Sequence, residues 1–248
     1  MIDPVSILAA VVLLMVGATM KGLLGIGLPM IAIPGLTLLF GLPQALAIVS
    51  IPVALANLWQ VWQFRRAGGV VRVLIPFIAA GGLGTVIGTV ILASVAEVWL
   101  ETTLAVMLFG YIALRLLNPA FQVDPARAVS FAIPTGLGAG LLHGATGISG
   151  PVAITFFHAQ RLGRDGFILA TGSVFLGFTL VQIPMLGAVG ILGAESISVG
   201  IAGLPSVALG LWLGNRVARY VDANLFDRLV LGVLGWTALA LLWRAWGG

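Results

Sequence analysis

Residues 21–29 read Lys21-Gly22-Leu23-Leu24-Gly25-Ile26-Gly27-Leu28-Pro29, and residues 143–151 read His143-Gly144-Ala145-Thr146-Gly147-Ile148-Ser149-Gly150-Pro151. The differences 143 − 21, 144 − 22, 147 − 25 and 151 − 29 are all 122. A cation-capable residue, two glycines and a proline thus recur in one register, the mark of an internal duplication. Closely spaced glycines predict a helix break, and Pro29 and Pro151 predict its restart, because a proline at the first helical position loses no hydrogen bond. A helix opening there turns unpaired N–H groups and a positive dipole end toward the glycines, which suits an anion. The simpler alternative is that the glycines only let helices pack closely in lipid.

The rest of the composition fixes the setting of these breaks. Hydrophobic residues make up 60% of the 248 and charged residues 8%, and the mean hydropathy is +1.16. An all-α polytopic membrane protein is expected. There is no cysteine and there are two histidines, so disulfides are excluded and neither a metal site nor a cofactor is expected. The net charge of +4 sets loop orientation before it suggests any nucleic-acid partner, and no basic, aromatic-interleaved segment is present. Met1-Ile2-Asp3-Pro4 lacks the positive flank of a cleavable signal, so the first apolar run is expected to be retained.

Ten apolar segments are expected, at about 5–20, 29–41, 45–63, 72–93 and 100–117, then 127–142, 148–160, 166–185, 197–217 and 228–244. Pro43, Gly68-Gly69, Asn118-Pro119 and Gly163 mark breaks. This divides the chain into a first membrane repeat (1–118), a linker (119–126) and a second repeat (127–248). The offset of 122 also pairs Gln60 with Gln182, Asn57 with Thr179, Gly81 with Gly203 and Gly88 with Gly210. Polar side chains at matching depth should face a cavity or bond a neighbouring helix.

Positive residues choose the topology. Treating each glycine motif as the middle of one long crossing gives eight spans and puts Arg65, Arg66 and Arg72 opposite Arg161, Arg164, Arg216 and Arg219. Splitting each motif gives five segments per half, brings those residues together with Lys21, Arg115, Arg127 and Arg228 on the cytoplasmic side, and leaves Glu97, Glu101 and Glu195 outside. Arg244 alone dissents. Both termini are then external and the halves are inverted repeats, each a Gly/Pro-broken hairpin plus three transmembrane helices, or about eight helices if each hairpin counts as one span. The short second segments are expected to form hairpins dipping from opposite sides, with the binding site central, between the two repeats. Trp59, Trp62, Trp243 and Trp246 are expected as interfacial anchors.

The expected substrate-binding residues are Lys21, Gly22, Gly25, Gly27, Pro29, Asn57 and Gln60 in the first repeat. In the second they are His143, Gly144, Thr146, Gly147, Ser149, Gly150, Pro151, Thr179 and Gln182. Lys21 would supply positive charge, His143 a titratable donor, Thr146 and Ser149 hydroxyls, and the glycines close backbone approach. The alternatives are a snorkelling Lys21 and a His143 bonded between helices. His158 has leucine at the matching position, Leu36, and is expected to be structural. No carboxylate lies well inside an apolar segment, so a carboxylate cation site or proton relay is not expected.

With the paired Gly-rich, Pro-terminated motifs, the helix pattern and the length, nearly the whole chain resembles the TauE/SafE family of sulfite exporters. The resemblance implies a transporter of the bacterial cytoplasmic (inner) membrane, moving sulfite, a sulfonate or a related organic anion, with about eight membrane helices. Its expected partners are that anion, the lipid bilayer and a coupling proton. A rival reading takes Gly147-Ile148-Ser149-Gly150 as the nucleophile motif of a rhomboid-like intramembrane protease, with His143 or His158 as base. The first copy has Gly27 in place of the serine, so catalysis would not explain the duplication. A non-transporting membrane scaffold is the third reading.

Overall fold

The computed structural model describes residues 3–67, 71–117, 125–158, 160, 162–218 and 223–247. Among them every regular element is an α-helix: α1 (Pro4–Leu24), α2 (Leu28–Phe40), α3 (Leu42–Phe64), α4 (Val71–Ser94), α5 (Glu97–Leu117), α6 (Pro125–Thr146), α7 (Gly150–His158), α8 (Gly163–Ala188), α9 (Ala194–Ala202), α10 (Leu204–Val217) and α11 (Ala223–Trp246). Asp3 starts α1 by accepting from the backbone N–H groups of Val5 and Ser6, each at 3.0 Å. The Ser6 hydroxyl also donates to it, and this bond above all holds the Asp3 carboxyl below the usual range. Gly68-Gly69, Asn118-Pro119 and most of the expected linker lie outside the described residues.

The helices are apolar on their outer faces. On α1, Val5, Leu8, Val12 and Val16 are exposed, while Ala10, Leu14, Ala18 and the charged Lys21 are buried. That is the reverse of a helix in water and fits a surface solvated by lipid. Among the described residues six segments are long and apolar enough to cross a membrane by length and composition: α1, α3, most of α4 and α6, α8, and α9 with α10. At about 1.5 Å per residue, the 13 residues of α2 make a helix of about 20 Å, short against a hydrocarbon core of about 30 Å.

Two details differ from the expected segments. Lys21-Gly22 and His143-Gly144 do not break their helices, because α1 continues to Leu24 and α6 to Thr146. The ninth segment is divided at Gly203, whose N–H donates to Val199 O at the end of α9 before α10 begins.

The chain forms two compact units, and each takes helices from both halves of the sequence. Unit 1 holds α1, α2, α3 as far as Pro52, α5, α9, α10 and α11; unit 2 holds α3 from Val53, α4, α6, α7 and α8. The most extensive helix packing is α1 on α10 in unit 1 and α4 on α6 in unit 2. Both crossings are built on glycine. A Cβ at Gly22 would stand 2.5 Å from Leu211 O, and one at Gly210 would stand 2.5 Å from Met15 O and 3.0 Å from Thr19 N. In unit 2, Gly84 lies against Leu137 O and Leu141 N, and Gly144 against Thr85 O and Thr89 N. Small residues let the two backbones touch, which is how helices gain contact when lipid supplies no hydrophobic drive.

These contacts correct the expected pairing of Gly88 with Gly210. Gly84 and Gly210 meet equivalent atoms, since 137 − 15 and 141 − 19 are both 122, but 210 − 84 is 126. Gly88 and Gly214 share that spacing of 126. The second copy therefore carries four additional residues, about one helical turn of 3.6, which keeps the glycines on the packing face.

Unit 1 also accounts for Arg244, the residue that dissents from the charge asymmetry. Its Nε lies 3.4 Å from Glu101 Oε1 and its Nη2 4.0 Å from Glu97 Oε1, while Nη1 donates to Thr37 O at the end of α2. Glu97 in turn accepts from Leu42 N at 3.0 Å. Two glutamates thus answer the stray arginine. Removing Arg244 alone leaves the buried Glu101 without its cation, so Arg244→Ala is expected to lower stability by about 1–3 kcal/mol, read as a fall in melting temperature. Trp59, Trp62, Trp243 and Trp246 are all exposed, and the Arg65 guanidinium sits 4.6 Å over the Trp62 ring.

Candidate functional site

Both motifs make the same helix ending. Gly25 adopts φ 81° and donates its N–H to Lys21 O at 2.7 Å; Gly147 adopts φ 71° and donates to His143 O at 2.7 Å. A left-handed glycine closing on the carbonyl four residues back is a C-cap that a residue with a Cβ adopts only under strain. Two residues further on the copies part. Gly27, at φ 123°, leads into α2 with no side chain capping its first turn. In the second copy Ser149 precedes α7 and accepts from Ala153 N at 3.0 Å through its carbonyl.

In unit 1, Lys21 occupies the last turn of α1 and is only 3% exposed. The side chain is enclosed by protein, which removes the snorkelling alternative. A Cβ at Gly27 would stand 3.2 Å from Met20 Cβ and 3.9 Å from Lys21 N. Glycine therefore allows the uncapped start of α2 to lie against the Lys21 turn. A buried ammonium and an open helix N-terminus sit on one short stretch of chain.

In unit 2, His143 is 2% exposed on the last turn of α6. Ser149 Oγ lies 3.3 Å from its Nδ1, a hydrogen bond in which the ring's tautomer decides which atom donates. The other ring nitrogen, Nε2, is buried and has no hydrogen-bond partner. The ring meets Phe178 of α8 edge-on at 5.5 Å, and Phe178 stacks on Phe77 of α4, which also touches Phe156 and Phe157 of α7. A donor set walled by aromatic rings is a low-dielectric place, where a polar contact counts for more than in water.

The remaining expected residues divide by what their polar atoms do. Gln182 Nε2 donates to His143 O and Gly144 O at 3.0 and 3.3 Å, adding a side-chain donor to the last turn of α6. Thr146 donates to Leu142 O at 2.8 Å and its hydroxyl accepts from Ile148 N at 3.3 Å, bracing the break from within. Thr179 donates to Phe175 O on its own helix. Asn57 and Gln60 are buried in unit 2, and Gln60 Oε1 fills the space beside Gly172. Gly22 and Gly144 serve helix packing. Gly150 begins α7, and Pro29 lies in the first turn of α2. The side chains of Pro151 and His158 lie outside the described residues. Gln182→Leu removes the side-chain donor shared by two carbonyls of the last turn and is expected to cost about 1–3 kcal/mol, measurable by thermal unfolding.

Phe77 and Phe178 carry no signal in the sequence, being two phenylalanines among 12. Glu101 escapes sequence reasoning for another reason: it stands at the edge of an apolar run, yet α5 begins earlier, at Glu97, and buries it.

Against this geometry, the family model described as Sulfite exporter TauE/SafE matches residues 9–241. The chain belongs to the TauE/SafE family. The match takes in both glycine breaks and nearly the whole chain. Comparison with curated proteins and comparison with solved structures each returned no match. TauE/SafE proteins are membrane transporters, not enzymes, and this one is a multi-pass membrane protein with a small anionic substrate. The Ser149–His143 contact is accordingly not a nucleophile and base. No group in the described residues orients the ring from Nε2, as a catalytic histidine requires.

Proposed function

We propose that this TauE/SafE protein is a secondary transporter that carries sulfite, a sulfonate or a related small organic anion across the bacterial cytoplasmic membrane, with its two halves acting as inverted repeats. Recognition falls to the two helix breaks. The observation that carries this reading is that each break is closed on the carbonyl of a buried cation-capable residue, Lys21 or His143. Burying the His143 ring with Nε2 unpartnered costs free energy that packing alone does not return. An anion offsets that cost. Lys21 supplies charge beside the uncapped α2 terminus; His143 Nε2 and the Ser149 hydroxyl supply donors beside the aromatic rings. Gly25 and Gly147, at the breaks themselves, carry no Cβ to keep a ligand from the backbone.

The test is thermal stability of the purified protein against sulfite, thiosulfate, sulfoacetate, taurine, lactate and chloride, because a ligand that binds only the folded state raises the melting temperature. A dose-dependent rise with one sulfur oxyanion or sulfonate, displaced to about tenfold higher concentration or beyond in Lys21→Gln and His143→Ala, is expected. A rise that persists unchanged in both variants would place the anion elsewhere.

A further inference from the structure

Glu101 is a buried carboxylate, whereas Asp3, Glu97, Asp165 and Glu195 are exposed. It sits 3% exposed one turn into α5, and its Oε1 has no hydrogen-bond partner. Arg244 on α11 faces it at 3.4 Å in an ion pair that makes no hydrogen bond. The same guanidinium reaches Glu97, one turn away on α5, and the Thr37 carbonyl on α2. Among the described side chains, Arg244 and Glu97 are the charged groups acting on Glu101; α2 contributes none, and Glu97 is held by Leu42 N as well. The Arg244 and Glu97 side chains beside Glu101 are 39% and 46% exposed.

We propose that Glu101 is a proton-binding site whose occupancy sets the grip of Arg244 on the end of α2. Ionised, Glu101 holds Arg244 in place, and Arg244 holds Thr37. When a proton from water bonds to a carboxylate oxygen, the side chain becomes neutral and can donate. Arg244 remains charged, since a guanidinium does not deprotonate in proteins, and it keeps only Glu97 as a counter-ion. The end of α2 then loses part of its anchor. Because α2 is the helix that opens at the Lys21 break, a proton at Glu101 acts on the arm that bears one of the anion-binding turns. The inference rests on the transporter reading only in taking this proton to be the coupled one.

The chain has no cysteine, so a single probe reports without background. Leu39 is exposed near the end of α2. Full-length Leu39→Cys protein carrying a nitroxide label, in phosphatidylethanolamine–phosphatidylglycerol liposomes, is titrated from about pH 5 to about pH 8.5 by electron paramagnetic resonance. The expected result is a reversible change in label mobility, locked in its low-pH form by Glu101→Gln, restored with a displaced midpoint by Glu101→Asp, and retained in Glu97→Gln. Should Glu101→Gln not fold, the Glu101→Gln/Arg244→Gln pair leaves no lone buried charge and is expected to be insensitive to pH. A spectrum that ignores pH in the parent, or that still titrates when Glu101 is replaced, overturns the proposal. Titration without anion binding would leave the proton site standing and remove the anion reading; anion binding without titration would do the reverse.

Discussion

Gly88→Leu and Gly144→Leu are each expected to abolish recovery of folded protein. The two glycines face each other across the α4–α6 crossing: a Cβ at Gly144 would stand 2.7 Å from Thr89 N, and one at Gly88 2.8 Å from Ala145 N. Both obstacles are backbone, so no side chain can swing away. Separating two helices to admit a leucine strips contacts along the whole crossing, and overpacking that typically costs about 1–3 kcal/mol is here multiplied over several turns. Gly110 supplies the contrast, since a Cβ added there would meet nothing within 4 Å. Gly110→Ala should therefore stabilise α5 by up to about 1 kcal/mol through helix propensity alone. Fluorescence-detected size-exclusion chromatography and thermal unfolding read both signs.

Lys21→Gln is expected to keep the protein folded and to weaken anion binding by roughly tenfold to a hundredfold. A hydrogen bond to a charged group is worth about 1.5–3 kcal/mol, and every 1.4 kcal/mol is about tenfold in affinity. Glutamine preserves much of the volume and a donor, so packing around α1 is little disturbed. A lysine that served only structure would show the opposite pattern, a fall in melting temperature with affinity retained. His143→Ala should act in the same direction but also loosen the aromatic wall, because the ring packs on Phe178. Equilibrium binding and melting temperature, measured on the same samples, separate these outcomes.

Much of the architecture is legible in the amino-acid sequence. Apolar runs separated by Gly and Pro place the helices, because a membrane segment must satisfy its backbone internally and has few ways to do so. The positions of Gly25 and Gly147 are readable for the same reason, since a left-handed cap favours one residue type. Which glycines break and which pack is not readable. Gly22 and Gly25 look alike in the sequence; one lies against Leu211 O and the other closes α1, and only the neighbouring helix distinguishes them. The exchange of helices between halves is equally hidden, since α4 on α6 and α1 on α10 are contacts over long separations. Arg244 stands out only as an exception to the charge rule. Its partners, Glu101 and Glu97, lie far back along the chain on another helix.

The most direct test of anion transport at the two breaks is flux of radiolabelled sulfite into liposomes containing the purified protein. Recognition at Lys21 and His143 predicts saturable uptake that competing sulfonates reduce and whose half-saturating concentration rises about tenfold or more in Lys21→Gln and His143→Ala at equal reconstitution. Uptake that keeps the parent half-saturating concentration in both variants would contradict it.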